Sequence, residues 1–227
     1  MTKLKPDIQV IKKKGLYYTV EDGNRLIRFG PWLADSLSFL YDFIMSNSVF
    51  PKKFGGDIQK HYEVLNQELA DIRGRQVLEL ATGSGSAVHF LNNDNQYAGT
   101  DISPGLLKKA TKRFREAGFP EPEFYVVSAD DLPFENGTFD LCFCILSLNF
   151  FSNVETVLQE VRRVLVPGGV FVCSVPVPER NRLQSTIRGT LYSEAELEKM
   201  CQEHGFKFEP ISCENGALLY FEAISQG

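Results

Sequence analysis

Residues 77–86 read VLELATGSGS. The apolar run Gln76–Ala81 ends in a turn carrying Gly83 and Gly85, one residue apart. A short apolar run closed by glycine reads as a buried strand. The two glycines let the chain bend tightly and bring bare backbone against a ligand. A helix is expected behind the turn.

Working outward, Gln96–Asp101 is the next strand, and Ser103-Pro104 opens a helix carrying Leu106, Leu107, Ala110, Phe114 and Ala117. Gly118 stops it. Phe124–Val127 and Phe139–Leu146 are further strands. Ser152-Asn-Val-Glu155 reads as a capping box for a helix with Val154, Val157, Leu158, Val161, Val164 and Leu165 on one face. Pro167-Gly168-Gly169 ends that helix, and Val170–Val175 is a strand. A second capping box, Ser193 to Glu196, starts the last helix, and Phe206–Cys213 and Ala217–Ile224 form a closing hairpin through Glu214-Asn215-Gly216. Strands alternating with crossover helices demand parallel neighbours. The fold expected is α/β, a doubly wound, Rossmann-like sheet of seven strands, mostly parallel with one antiparallel strand.

Residues 1–70 differ in texture. Leu16–Val20 and Arg25–Phe29 flank Glu-Asp-Gly-Asn, a β-hairpin signature. Trp32, Leu33, Leu37, Leu40 and Ile44 recur at helical spacing, and a second amphipathic helix runs around Ile58, Leu65 and Leu69. The division expected is an N-terminal hairpin and helical cap over 1–70, contributing to an acceptor site, and a ligand-binding domain over 71–227. The lysines at 3, 5, 12, 13 and 14 read as a solvated face or tail.

A formal net charge of −5 argues against broad contact with a nucleic-acid backbone. The five cysteines are odd in number and lie in apolar segments, as small core residues of a reducing compartment do. His61, His89 and His204 share no ligand spacing, so no metal site is expected. Without a signal core or a long apolar span, the chain is expected to be cytoplasmic. The sequence assigns no oligomeric state.

Asp101 gives the glycine turn its chemical meaning. A carboxylate at the end of the second strand can accept hydrogen bonds from both ribose hydroxyls of a nucleoside. A dinucleotide fingerprint needs a third glycine, where this chain has Val88, and a P-loop needs a Gly-Lys-Ser/Thr run, which is absent. S-adenosylmethionine has the ribose without a phosphate, and its amino-acid end suits backbone groups and Glu79.

VLELATGSGS resembles the first motif of class I S-adenosylmethionine-dependent methyltransferases. YAGTDIS, VVSADDLPFENGTFDLCFCILSLN and LQEVRRVLVPGGVFVCSVP follow in that family's order. The last two resemble the branch holding the quinone C-methyltransferases and many small-molecule methyltransferases. The resemblance covers about residues 75–224 and implies S-adenosylmethionine as cofactor. It places Glu79, Ala81, Thr82, Gly83, Ser84 and Gly85 around the methionine part, Asp101 on the ribose and Ile102 against the adenine. Ser128, Ala129 and Asp130 meet the adenine edge, and Leu146 lies near the cofactor. Ser128 stands where an aspartate is common, so the adenine contact is open between Ser128 and Asp130.

The function implied is in-line methyl transfer to a small-molecule acceptor. The acceptor is expected beyond Ser147–Phe151, under a roof made by the Trp32–Phe50 helix and the Pro176–Thr190 linker with Arg180, Arg182 and Arg188. Asn149 either orients the acceptor or caps the following helix. No catalytic residue is assigned, because an activated methyl donor needs a base only when the acceptor must lose a proton. The alternatives are a cofactor-binding but catalytically silent regulatory subunit and an NAD-dependent oxidoreductase, the latter disfavoured by Val88.

Overall fold

A computed structural model describes residues 2–21, 25–26 and 44–227. In chain order they form β1 (Gln9–Lys13), β2 (Leu16–Glu21), β3 (Arg25–Leu26), α1 (Ile58–Leu69), β4 (Gln76–Leu80), β5 (Gln96–Asp101) and α2 (Pro104–Glu116). Then come β6 (Glu123–Val126), β7 (Phe139–Ile145), α3 (Val154–Val164), β8 (Leu165–Pro176), α4 (Glu194–Glu203), β9 (Phe206–Asn215) and β10 (Leu218–Ser225). A wide helical coil, Met45–Phe54, precedes α1.

All these strands share one sheet, ordered β1-β2-β6-β5-β4-β7-β8-β10-β9, with β3 beside β2. Neighbours from β6 to β8 run parallel, and β10 is antiparallel to both β8 and β9. The α/β, doubly wound, Rossmann-like reading therefore holds. The strand number does not: β1, β2 and β3 extend the seven expected strands to a sheet of ten. β2 pairs parallel with β6 and antiparallel with β1, so the N-terminal hairpin adds antiparallel strands as well. β1 comes from the lysine-rich segment read as a tail. Lys12 and Lys13 are solvated, but on an edge strand, where lysine opposes further pairing.

The β2–β3 hairpin pairs Val20 with Leu26 and Glu21 with Arg25. Residues 27–29 of its expected second arm, and residues 32–43 of the Trp32–Phe50 helix, lie outside the described residues.

Side-chain alternation along the strands builds a core on each face. Leu78, Cys142 and Cys144 turn to one side, under Val157, Leu158 and Val161 of α3 and Leu197 of α4. Val77, Leu141 and Phe143 turn to the other, with Val64 and Leu65 of α1 and Leu107, Ala110 and Phe114 of α2.

Three local expectations change. The helix behind Gly85 is only the turn Ser86–His89. The asparagines after it bond backbone instead: Asn92 donates to the Ala70 carbonyl, and Asn95 accepts from Arg75 N–H while donating to Ile72. Such bonds compete with helical ones. The cap of α3 is Asn153, whose Oδ1 accepts from Thr156 N–H at 3.1 Å, so Ser152 and Glu155 form no capping box there. Pro167-Gly168-Gly169 lies within β8, at a register shift opposite β7, rather than before the strand. The Ser193–Glu196 box is present as read.

The β6–β7 connection is held by a buttress that sequence reasoning missed. Glu160 and Arg163 of α3 form a bidentate pair at 2.6 and 2.7 Å. Arg163 donates onward to the Phe134 and Leu132 carbonyls, and Leu132 N–H donates to Glu160. Burial alone would raise the Glu160 pKa, but Arg163, the Leu132 N–H and Lys5 hold it below the ordinary range. A depressed carboxylate contributes stability above its unfolded pKa and loses it as pH falls through the folded value. Arg163→Ala should cost about 2–3 kcal/mol at neutral pH, since charged hydrogen bonds are lost from a half-buried group. The deficit in the urea midpoint should shrink below about pH 4; a deficit independent of pH would refute the buttress.

Candidate functional site

Ligands bind beyond the carboxyl ends of the strands in such sheets. A cavity of about 850 Å³ lies there. Ala81 and Gly83 follow β4, Asp101 ends β5 and Ile102 follows it. Ser128, Ala129 and Asp130 follow β6, and Leu146 and Ser147 follow β7; all line the cavity. The far side is made by Ile44, Val49 and Phe54 from the N-terminal part, by Phe150 and Phe151, and by Thr186–Arg188.

Asp101 is 8 % exposed, and each of its two oxygens is held by a backbone N–H. Oδ2 accepts from Gly83 N–H at 2.8 Å and Oδ1 from Ser103 N–H at 2.8 Å. The first bond ties the glycine turn to the end of β5, and the second fixes the entry to α2. A carboxylate oxygen can accept more than one hydrogen bond, and Asp101 lines the cavity.

The two glycines do different work. Gly83 has φ +57°, and a Cβ there would meet nothing nearer than the Ala81 carbonyl at 3.9 Å, so its open side faces the cavity. Gly85 has φ +84°, and a Cβ there would sit 2.8 Å from Ala110 Cα. The second glycine thus admits α2, not a ligand. Ala81 at φ +51° and Leu146 at φ +58° also adopt the left-handed region, and both line the cavity. That conformation costs a residue with a Cβ roughly 1–2 kcal/mol.

Of the residues singled out from sequence, Glu79, Thr82, Ser84 and Gly85 lie outside the cavity lining. Ser84 accepts from Arg113 of α2 at 3.1 Å. Glu79 and Thr82 lie under the turn with Tyr97, which sequence reasoning did not find. The Tyr97 hydroxyl donates to Glu79 Oε2 in a short hydrogen bond, and Thr82 Oγ1 lies 3.3 Å from that hydroxyl. Tyr97 is distant in sequence, and only the β4–β5 pairing, Val77 opposite Tyr97, brings it in.

Burial pushes the Glu79 pKa up to about 8; the Tyr97 bond opposes that rise and the charge of Asp101 adds to it. A carboxyl whose folded pKa exceeds its unfolded value holds extra protons in the folded state. Stability from this group is therefore full below the unfolded value near 4.5 and falls as pH rises through about 8. Glu79→Gln keeps an acceptor for Tyr97 and removes the titration. Its melting temperature should fall less steeply between pH 5 and 8 (the range from about the unfolded to the folded value). Identical slopes for the two proteins would contradict a protonated Glu79.

Residues 78–173 match the family model described as a methyltransferase domain. The motif order, the sheet order and Asp101 at the cavity agree with that match. The likeness is to class I methyltransferases.

The ubiquinone/menaquinone biosynthesis C-methyltransferase UbiE of Desulfotalea psychrophila is 31 % identical over 156 residues, 60 % of this chain and 62 % of that protein. The phthiotriol/phenolphthiotriol dimycocerosates methyltransferase of Mycobacterium tuberculosis is 33 % identical over 104 residues, 44 % of this chain and 37 % of that protein. The chain thus spans less than two thirds of the curated relatives it matches. Among solved structures, the [4+2]-cyclase SpnF superposes with a TM-score of 0.68 at 17 % identity, covering 86 % of this chain and 94 % of SpnF. A cyclase sharing the fold means that the fold alone does not name the reaction.

The site fits the cofactor of this class, S-adenosylmethionine. It offers a buried carboxylate, a bare glycine face and a mostly apolar wall. No helix among the described residues is long and apolar enough to cross a membrane.

Proposed function

We propose that this protein transfers the methyl group of S-adenosylmethionine to a small organic acceptor, rather than to nucleic acid. The observation carrying the proposal is Asp101, a carboxylate fixed by two backbone N–H groups at the cavity wall beside the open face of Gly83. Asp101 would hold the ribose diol and Gly83 the amino-acid end. Ile102 would pack on the adenine, with Ser128, Ala129 and Asp130 at its edge and Leu146 close to the methyl-bearing half. Glu79, Thr82, Ser84 and Gly85 would act from beneath, by shaping the turn.

When bound, the cofactor supplies a methyl group on a sulfonium, an activated electrophile. The chain's contribution is to hold the acceptor in line and exclude water. Among the described residues no histidine, cysteine or tyrosine lines the cavity, so no general base is assigned. His61 is buried elsewhere against the Tyr220 hydroxyl, and burial lowers its pKa to about 3. Neutral at physiological pH, it acts as core.

An acceptor-site role for residues 1–70 is supported by Ile44, Val49 and Phe54 on the cavity's far side, while β1, β2 and β3 of that segment join the same sheet as residues 71–227. The free cysteines Cys142, Cys144, Cys173, Cys201 and Cys213 support a reducing, cytoplasmic setting. S-adenosylmethionine and its demethylated product should raise the melting temperature, while NAD should not. A panel of small acceptors should then yield S-adenosylhomocysteine. Stabilisation by NAD alone would overturn the reading.

A further inference from the structure

Three arginines stand in the linker after β8, and their surroundings differ. Arg180 pairs with Glu194 at 3.2 Å and donates to the Cys213 and Leu218 carbonyls. Arg182 pairs with Glu214 at 3.7 Å. Arg188 has no carboxylate partner among the described residues, and it is the one that lines the cavity. Lys53, from the N-terminal coil, is likewise without a carboxylate partner among the described residues and lines the same cavity. Asp101 and Asp130 are the acids of the same lining, and both are assigned to the cofactor half.

The fold also brings Lys53 and Arg188 together. Ser185 Oγ donates to the Lys53 carbonyl in a short hydrogen bond, joining the linker to the N-terminal coil. Arg188 follows Ser185 by three residues, a reach of at most about 10 Å along the chain, so two long side chains can meet one small anion. The backbone beneath Arg188 is fixed by Asn149, which is 2 % exposed. Its Nδ2 donates to the Arg188 carbonyl at 2.6 Å, and its own carbonyl accepts from Thr190 N–H at 2.8 Å. The same cavity is also lined by the apolar side chains of Val49, Phe54, Phe150, Phe151 and Ile187.

We infer that the methyl acceptor is an amphipathic anion, an apolar body ending in a carboxylate or phosphate that Lys53 and Arg188 bind at the rim. Asn149 is a positioning residue that holds Arg188 there. The inference rests on the proposed cofactor site, because it assigns the acceptor half of the same cavity.

The test is calorimetric titration of the full chain saturated with S-adenosylhomocysteine, using octanoate, octyl phosphate, octanol and octylamine. One or both anions should bind at least about tenfold tighter than octanol, as charge-assisted hydrogen bonds imply, with octylamine weakest. The tighter anion identifies the headgroup class. In K53Q/R188Q the preference should vanish while affinity for S-adenosylhomocysteine is unchanged. Asn149→Ala should weaken anion binding and spare octanol, which a merely structural role would not separate. Equal affinities, no anion binding, or a preference surviving K53Q/R188Q would overturn the inference. Failure to bind S-adenosylhomocysteine would instead overturn the proposed function.

Discussion

Replacing Asp101 with alanine should lower the affinity for S-adenosylhomocysteine at least tenfold and also weaken the fold. The first effect follows from the ribose bonds assigned to this carboxylate, each worth roughly 1.5–3 kcal/mol when charge-assisted. The second follows from Gly83 N–H and Ser103 N–H, which both donate to Asp101 in a buried region. Stranding two buried donors costs about 1–3 kcal/mol each. Asp101→Asn separates the two effects. One oxygen remains to serve one N–H, so stability should recover in part, while binding stays impaired because the charge is gone. Calorimetry and urea denaturation on the same samples read both quantities. Wild-type affinity in either variant would refute the ribose assignment.

Alanine at the two glycines of the turn should have opposite consequences. Gly85→Ala places a Cβ 2.8 Å from Ala110 Cα and 2.9 Å from its Cβ, at φ +84°. Left-handed strain of roughly 1–2 kcal/mol and overpacking against a helix backbone of about 1–3 kcal/mol add, so unfolding should become easier by about 2–5 kcal/mol. Gly83→Ala meets open space, at φ +57°. It should cost only the conformational part, about 1–2 kcal/mol, yet place a methyl where the cofactor's amino-acid end is assigned. S-adenosylhomocysteine affinity should therefore fall more in Gly83→Ala than in Gly85→Ala, while the urea midpoint should fall more in Gly85→Ala. The reverse order would mean that the glycine roles are exchanged.

Ala81 bears on both experiments. It occupies a left-handed backbone position with a Cβ, at the start of the glycine turn. Its small side chain points to a site under constraint from both the strand and the cavity.

The mostly parallel sheet and the position of Asp101 at the end of its second strand were legible in the chain because they rest on local signals. Strand-length apolar runs, Ser-Pro and Ser-x-x-Glu helix starts, and glycine stops need only neighbouring residues to be read. Eight of the twelve site residues named from sequence, Ala81, Gly83, Asp101, Ile102, Ser128, Ala129, Asp130 and Leu146, line the cavity. They do so because strand ends in a parallel sheet converge on one edge.

Tertiary structure alone decided what depends on distant partners. The lysine-rich β1 is a strand only because β2 finds an open edge beside β6. Gly85 packs on α2 rather than facing a ligand because Ala110 is pressed against it. The Glu79 pKa is raised because the fold buries this carboxyl under the turn, with the charge of Asp101 on β5 adding to the rise and the Tyr97 hydrogen bond opposing it. Arg188 differs from Arg180 and Arg182 only through which carboxylates the fold brings near. Periodicity along a chain records which face is buried, but pairing and desolvation are set by residues that sequence order leaves far apart.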